Sequence, residues 1–223
     1  MSSTEDLSRL LKSEDRNEVI TFDVYGTLFD IAAESWGPPE VVATMRQKQL
    51  QYSWLVSLMG EYVDFREVTR LAIEYSLEFH GVEGHVDTIM ASQQRIRPFV
   101  ETRQALERLG RRRRLAILSN GHPDSLQALL VNAGLRDHFS SVVSVHEMRV
   151  FKPAPAVYQH LLDVLGVDRD RVLFVSSNAF DVAGAANFGL RVAWVNRAHT
   201  PLERVGRSPE LEVSDLTELS DRV

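Results

Sequence analysis

One aspartate closes the first apolar run of the chain, Val19-Ile20-Thr21-Phe22-Asp23-Val24-Tyr25-Gly26-Thr27-Leu28-Phe29-Asp30. A run of about four to eight apolar residues ended by a glycine turn reads as a buried strand, and groups just past such strands lie where open α/β sheets bind ligands. Asp23 is therefore placed for chemistry, against the plainer reading that it caps the next turn. Three later segments carry polar groups to strand ends or nearby turns: Leu118-Ser119-Asn120-Gly121, Phe151-Lys152-Pro153 with Tyr158, and Ser176-Ser177-Asn178-Ala179-Phe180-Asp181. Lys152 has no packing reason to stand at a strand end. Thr27 and Ser177 also fit turn hydroxyls that satisfy backbone groups, Asn120 a turn residue before Gly121, and Tyr158 a helix residue packed on the sheet.

The elements that must hold these residues follow from periodicity. After Trp36-Gly37-Pro38-Pro39 breaks the chain, Glu40 to His80 reads as helix, with Gly60 and Gly81 as turn or C-cap positions, and a second helical stretch runs to Arg97. The apolar residues Val41, Leu50, Trp54, Leu55, Leu58, Leu71, Ile73, Leu77 and Phe79 set that helical spacing. From Pro98 the pattern alternates. Helices are expected at Phe99 to Leu109, Pro123 to Ala133, Pro155 to Leu165 and Val182 to Phe188, and strands at Leu115 to Leu118, Ser141 to Val145, Val172 to Val175 and Arg191 to Val195. Such alternation predicts an α/β fold, a mostly parallel sheet with helices on both faces, interrupted by a helical cap. The expected division is a core of residues 1–30 and 99–223 and a cap of residues 31–98. Residues 1–18 read as a polar, partly helical leader with little to bury.

Composition narrows the function. The 223 residues carry a net charge of −6 and no cysteine, and the pI is near 5.7. An acidic chain without a basic stripe argues against nucleic acid, and the absence of cysteine excludes disulfides and thiolate metal sites. Arg111 to Arg114 form the one charge block, read as a solvated turn. His80, His85, His122, His138, His146, His160 and His199 show neither HxxxH nor HxH spacing, which argues against a histidine metal site. No stretch is apolar enough to span a membrane or serve as a signal peptide, leaving a cytoplasmic protein as the default.

The four polar segments, in this order and with an inserted helical cap, resemble the haloacid dehalogenase superfamily, whose motifs are a nucleophilic Asp, a Ser or Thr, a Lys and an acidic or polar cluster. The resemblance covers roughly residues 19–200 and implies a Rossmann-like core. Phosphatases of that superfamily carry DxD, whose second carboxylate protonates the leaving oxygen, and keep further acids for Mg²⁺. Here the second position is Tyr25, and Asp181 is the only carboxylate of the fourth segment. A halide leaves as a stable anion and needs no proton, and Mg²⁺ wants several oxygen ligands. The chain thus resembles the L-2-haloacid dehalogenases. Met45-Arg46-Gln47-Lys48-Gln49-Leu50 is similar to their cap signature, in which the Arg points into the cleft; Lys48 reads as surface.

The resemblance implies that Asp23 attacks the halogen-bearing C2 to form an ester with inversion. Thr27 and Lys152 would orient and charge-balance it; a charge contact at about 4 Å is worth roughly 1 kcal/mol in water and about 4 at an effective dielectric of 20. Ser119 and backbone N–H groups near Tyr25 would hold the substrate carboxylate, and Arg46, Asn120 and Phe180 the halide. Tyr158 would frame the site. Ser176, Asn178 and Asp181 would position and deprotonate the hydrolytic water, and Leu50, Phe65, Leu118 and Phe180 would wall the pocket. Phe180 stands where Trp is common, and Met45 precedes Arg46 where Trp is frequent. The implied activity is hydrolysis of short (S)-2-haloalkanoic acids by a homodimer that needs no cofactor or metal. The alternatives are another C2 leaving group, such as that of azetidine-2-carboxylate, a Mg²⁺-dependent phosphatase, or a non-enzymatic interaction module.

Overall fold

A computed structural model of the chain describes residues 18–33 and 36–223. The expected polar leader lies, apart from Glu18, outside the described residues. Among the described residues six strands, β1 (Val19–Phe22), β2 (Arg114–Ser119), β3 (Ser141–Ser144), β4 (Val172–Ser176), β5 (Arg191–Val195) and β6 (Leu211–Val213), form one sheet in the order β3-β2-β1-β4-β5-β6, every pair parallel. A strand covered on both faces is apolar at every position, and β1 is buried throughout. The period of two still sorts the faces. Ile20, Ile117, Val175 and Val195 enter one apolar cluster, and Val19, Leu118, Phe174 and Trp194 the other. Helices α4 (Thr102–Leu109), α5 (Pro123–Asn132) and α8 (Leu216–Arg222) cover the first face; α6 (Pro155–Leu165) and α7 (Ala179–Phe188) cover the second. No helix among the described residues is long and apolar enough to cross a membrane.

Parallel strands bring all their C-terminal ends to one edge. From central β1 the sheet extends through β2 and β3 on one side and β4 to β6 on the other, the switch point at which such sheets bind ligands. Asp23 follows β1 directly, and its N–H donates to the Val175 carbonyl at 2.9 Å. Gly26 turns the chain with φ +82°, a conformation that side chains resist. On the opposite side of the site, α7 lies so close to the Lys152-Pro153 turn that a Cβ on Gly184 would sit 2.4 Å from the Pro153 Cβ and 2.7 Å from the Tyr158 hydroxyl.

Between β1 and α4 the chain forms α1 (Pro39–Met59), α2 (Phe65–His80) and α3 (Val86–Ser92), which share a core of Val41, Met45, Ala72, Ile73, Leu77 and Ile89. Gly60 and Gly81 close α1 and α2 in the left-handed conformation, the C-cap role read from the sequence. The excursion leaves and returns at one point, where the Asp30 N–H donates to Arg97 O at 2.9 Å and the Phe99 N–H to Leu28 O at 3.0 Å.

Several boundaries differ from expectation. The helix read at Phe99 begins at Thr102, whose hydroxyl donates to Leu28 O, and β3 ends at Ser144, because Val145–Met148 turn as a short 3-10 helix. Helix α7 begins at Ala179 and not at Val182, so Phe180 and Asp181 lie in its first turn. β6 and α8 were not anticipated. β6 is too short for a period, but α8 had a legible signal: the Asp215 carboxylate accepts from Glu218 N–H at 2.8 Å while Glu218 accepts from Ser214 N–H at 2.7 Å, close to a capping box. The helical spacing of the insertion holds at Val41, Ile73 and Leu77, which are buried, yet Trp54, Leu55, Leu58, Leu71 and Phe79 are exposed, and besides Val41 α1 buries Met45, Gln49 and Ser53.

Candidate active site

At the switch point a buried ammonium joins two buried carboxylates. Lys152 Nζ donates to Asp23 Oδ1 at 2.7 Å, to Asp181 Oδ2 at 2.6 Å and to the Leu118 carbonyl at 3.2 Å. All three of its protons are thereby used. Asp23 Oδ2 accepts from Thr27 Oγ1 at 2.9 Å and from Asn178 Nδ2 at 2.8 Å, and Asp181 Oδ1 accepts from the Tyr158 hydroxyl at 2.7 Å. Asp23 is 4% exposed, Lys152 1% and Asp181 0%. That burial matters because charge pairing is far stronger away from water.

The local structure explains this convergence. Thr27 lies in the turn after β1, and its hydroxyl oxygen also accepts the Ser177 N–H at 2.9 Å, tying the β1 turn to the β4 turn. Asn178 sits at the N-cap of α7; its amide donates to the Tyr25 carbonyl at 3.0 Å, and its N–H donates to Ser176 Oγ at 3.1 Å. Asn120 Oδ1 accepts the Lys152 N–H at 3.0 Å, and Ser119 Oγ accepts the Gly121 N–H at 3.2 Å. The sequence did not reveal Arg197, which donates to the Thr27 carbonyl at 3.0 Å and pairs with Glu101 at 2.5 Å.

Burial and charge oppose each other at these groups. Burial pulls the Lys152 ammonium down, but the adjacent Asp181 and Asp23 carboxylates outweigh it and hold its pKa above the ordinary lysine value. Burial raises the Asp181 carboxyl, against the pull of Lys152 and with the push of Asp23. Burial and the nearby Asp181 hold the Tyr158 phenol well above its usual pKa, so it remains a donor. The arrangement therefore offers a fixed carboxylate, Asp23, and a second, Asp181, whose pKa burial raises, with a cation between them.

The helical insertion roofs this edge. Arg46 donates to Gln49 Oε1 at 2.9 Å, and Gln49 donates to Thr69 Oγ1 at 2.7 Å, linking α1 to α2. Arg46 and Phe65 line, together with Tyr25, a cavity of about 50 Å³. The rings of Tyr25 and Phe65 lie 6.4 Å apart, and Phe65 also meets Phe151 at 5.6 Å. Phe180 and the half-buried Leu50 fall outside that lining; Phe180 instead meets Trp54 of α1 edge to face at 5.4 Å. Of the sequence-derived residues, Asp23, Thr27, Lys152, Tyr158, Asn178 and Asp181 form one hydrogen-bonded cluster. Ser119, Asn120 and Ser176 brace its backbone, and Leu118 contributes its carbonyl.

Residues 18–189 match the family model for haloacid dehalogenase-like hydrolases. The chain is 41% identical over 209 residues to an (S)-2-haloacid dehalogenase of Pseudomonas sp. (strain YL), covering 88% of this chain and 90% of that one. It is 48% identical over 191 residues to the (S)-2-haloacid dehalogenase of Xanthobacter autotrophicus, covering 81% and 75%. The solved L-2-haloacid dehalogenase from Xanthobacter autotrophicus with chloropropionic acid covalently bound superposes with a TM-score of 0.84 at 39% identity, covering 92% of this chain and 97% of that one. The parallel sheet, the residues clustered at its switch point and these similarities agree: the chain belongs to the haloacid dehalogenase-like hydrolase family, in its L-2-haloacid dehalogenase branch.

Proposed function

We propose that the chain hydrolyses short (S)-2-haloalkanoic acids to (R)-2-hydroxyalkanoic acids through an ester on Asp23, with inversion at C2, and that residues 31–98 act as the cap over the reacting atoms. The observation that carries this reading is the Asp23–Lys152–Asp181 bridge, together with Tyr25 where a phosphatase would need its second acid. The cation between the two carboxylates is the lysine's own, so they are ill suited to Mg²⁺, which wants several free oxygen ligands. A relative that holds chloropropionic acid covalently supports a covalent path.

The steps follow from the residues. Asp23, held at both oxygens, attacks C2 from the rear, and the carbon–halogen bond breaks toward Arg46, Asn120 and Phe180. Ser119 and backbone N–H groups near Tyr25 hold the substrate carboxylate, and Phe65 bounds the apolar side, with Leu50 and Leu118 outside the lining of the Arg46–Phe65 cavity. Water, oriented by Ser176 and Asn178, then attacks the Asp23 ester carbonyl and gives a proton to Asp181, a better base for its raised pKa. The acyl C–O bond of the ester breaks, the departing 2-oxyanion takes that proton back from Asp181, and the second water proton leaves to solvent as Asp23 returns to its carboxylate. Lys152, Thr27 and Tyr158 keep their charge and geometry throughout. Exposed Leu55, Leu58 and Met59 at the end of α1 form an apolar surface that a second copy would cover, which supports a homodimer; a sedimentation mass of one chain would count against it.

Halide release from 2-chloro- and 2-bromopropionate should persist after exhaustive chelation, while a generic phosphate ester should not be turned over. Activity that vanishes with chelator and returns with Mg²⁺ would sink the metal-free reading, and preferential opening of azetidine-2-carboxylate in the same panel would move the leaving group from halide to ring nitrogen.

Arg46→Lys in that assay should lower kcat by about two to three powers of ten, because an ammonium cannot reproduce the planar fork that meets the developing halide charge. Unchanged kcat in a folded variant would return Arg46 to the surface of an amphipathic helix.

A further inference from the structure

Beside the cleft, and outside the cluster around Asp23, three ligand-type side chains from three separate elements meet. Asp64 caps the N-terminus of α2 by accepting the Arg66 N–H at Oδ1, 2.7 Å away. Its other oxygen, Oδ2, lies 3.4 Å from His122 Nε2 and 3.7 Å from His146 Nδ1. All three ligand atoms fall within 4.8 Å of one another, and the two imidazole rings are 4.8 Å apart. His122 opens α5, and His146 belongs to the 3-10 turn after β3. Histidine spacing in the sequence could not show this, because HxxxH and HxH detect only pairs on a single helix or strand.

We propose that Asp64, His122 and His146 bind one divalent transition ion of the zinc class, which staples the helical insertion to the sheet edge. Tetrahedral zinc with ligands at about 2.0–2.2 Å sets its ligand atoms about 3.3–3.5 Å apart, and two of the three edges here are already 3.4 and 3.7 Å. Two imidazoles and one carboxylate suit zinc, whereas magnesium and calcium favour all-oxygen shells. The Tyr62 hydroxyl now hydrogen-bonds His146 Nδ1 at 2.9 Å and must release it to the ion, and water takes the fourth position.

Binding requires two further local adjustments. The Arg66 guanidinium, 3.0 Å from His122 Nε2, must swing outward, and its side chain is 48% exposed. His122 Nδ1, which now accepts the Asp124 N–H at 3.2 Å, must carry the ring proton and turn it to the Asp124 carboxylate, 3.7 Å away. A carboxylate behind a metal-bound histidine is the usual outer partner. His122 also lines the cavity shared by Tyr25, Arg46 and Phe65, so a bound ion would fix the insertion against the sheet at the cleft mouth.

The test uses the full chain, stripped with chelator and dialysed, titrated with Zn²⁺ alone by calorimetry. One ion per chain is expected, with a melting temperature that rises as Zn²⁺ is added, and Co²⁺ in its place should show the intense visible bands of four-coordinate cobalt. His122→Ala, His146→Ala and Asp64→Asn should each weaken binding by at least tenfold, while His199→Ala should leave it unchanged. Asp64→Asn keeps a good helix N-cap, so loss of binding there reports the lost ligand and not an unfolded α2. Absence of saturable binding by the unmodified chain, or binding that none of the three substitutions moves, overturns the proposal.

Discussion

In ¹⁸O water with enzyme in excess, a single turnover is expected to release mostly unlabelled 2-hydroxy acid and to leave the label in the peptide that contains Asp23. On the proposed ester path the oxygen first delivered to C2 is one of the Asp23 carboxylate's own, because water enters only at the ester carbonyl. Repeated turnovers should then label the product. Direct attack by a water activated at Asp181 reverses the pattern: labelled product at once and no label in the peptide. Configuration does not separate the two, since one rearward displacement inverts C2 in either scheme. Asp23→Asn should abolish turnover, with any slow return of activity tracking deamidation by mass. Labelled product from the first turnover would remove Asp23 from the nucleophile's role.

Lys152→Met should be nearly as damaging, and on two counts. The ammonium that holds Asp23 Oδ1 is gone, so kcat should fall by about three powers of ten, in the range of other lost electrostatic donors. Asp23 and Asp181 would also be left buried and facing each other without a cation, which costs about 3–5 kcal/mol of stability when one partner of a buried pair is removed. The sign of the pH dependence follows. Burial and mutual repulsion raise the pair's folded pKa above the unfolded carboxylate range, so the variant is most stable below that range and loses stability as pH rises from it toward the folded value. Urea unfolding of the variant at acidic and neutral pH checks this. A variant equally stable at both would show that the lysine does not compensate the two charges.

The sheet was legible because strands buried on both faces leave nearly continuous apolar runs, as at Val19–Phe22, broken only by Thr21, and at Val172–Val175, and the helices between them keep their own spacing. The residues around Asp23 were legible as types, since a lysine before a proline in a turn and an Asn in Ser-Ser-Asn after a strand have no packing role. Their pairing was not. That Lys152 reaches both carboxylates depends on how closely α7 approaches the Pro153 turn, a distance set by the missing side chain of Gly184, which no local pattern encodes. The start of α7 was missed because Ala179-Phe180-Asp181 lacks a continued apolar stripe, although Asn178 is a favoured N-cap residue. The buried face of α1 was hidden for a related reason. Gln49 and Ser53 are buried there through their hydrogen bonds to Thr69 and to the Leu50 carbonyl, while apolar Leu58 is left outside.

The place of β1 in the sheet also has a consequence during synthesis. Among the described strands it is the first to leave the ribosome, and with β4 it lies at the centre of the finished sheet, flanked by strands made much later. Asp23 and Lys152 are 129 residues apart, so at about 5–20 residues per second Asp23 waits on the order of ten seconds for its counter-ion to be translated. Helices α1 to α3 emerge within that interval and bury a core of their own, which needs nothing from the later chain. The nascent polypeptide can thus gather this small core before the rest of the sheet exists, whereas Phe65 and Val68 find their packing partners, and Asp23 its counter-ion, only in the later chain.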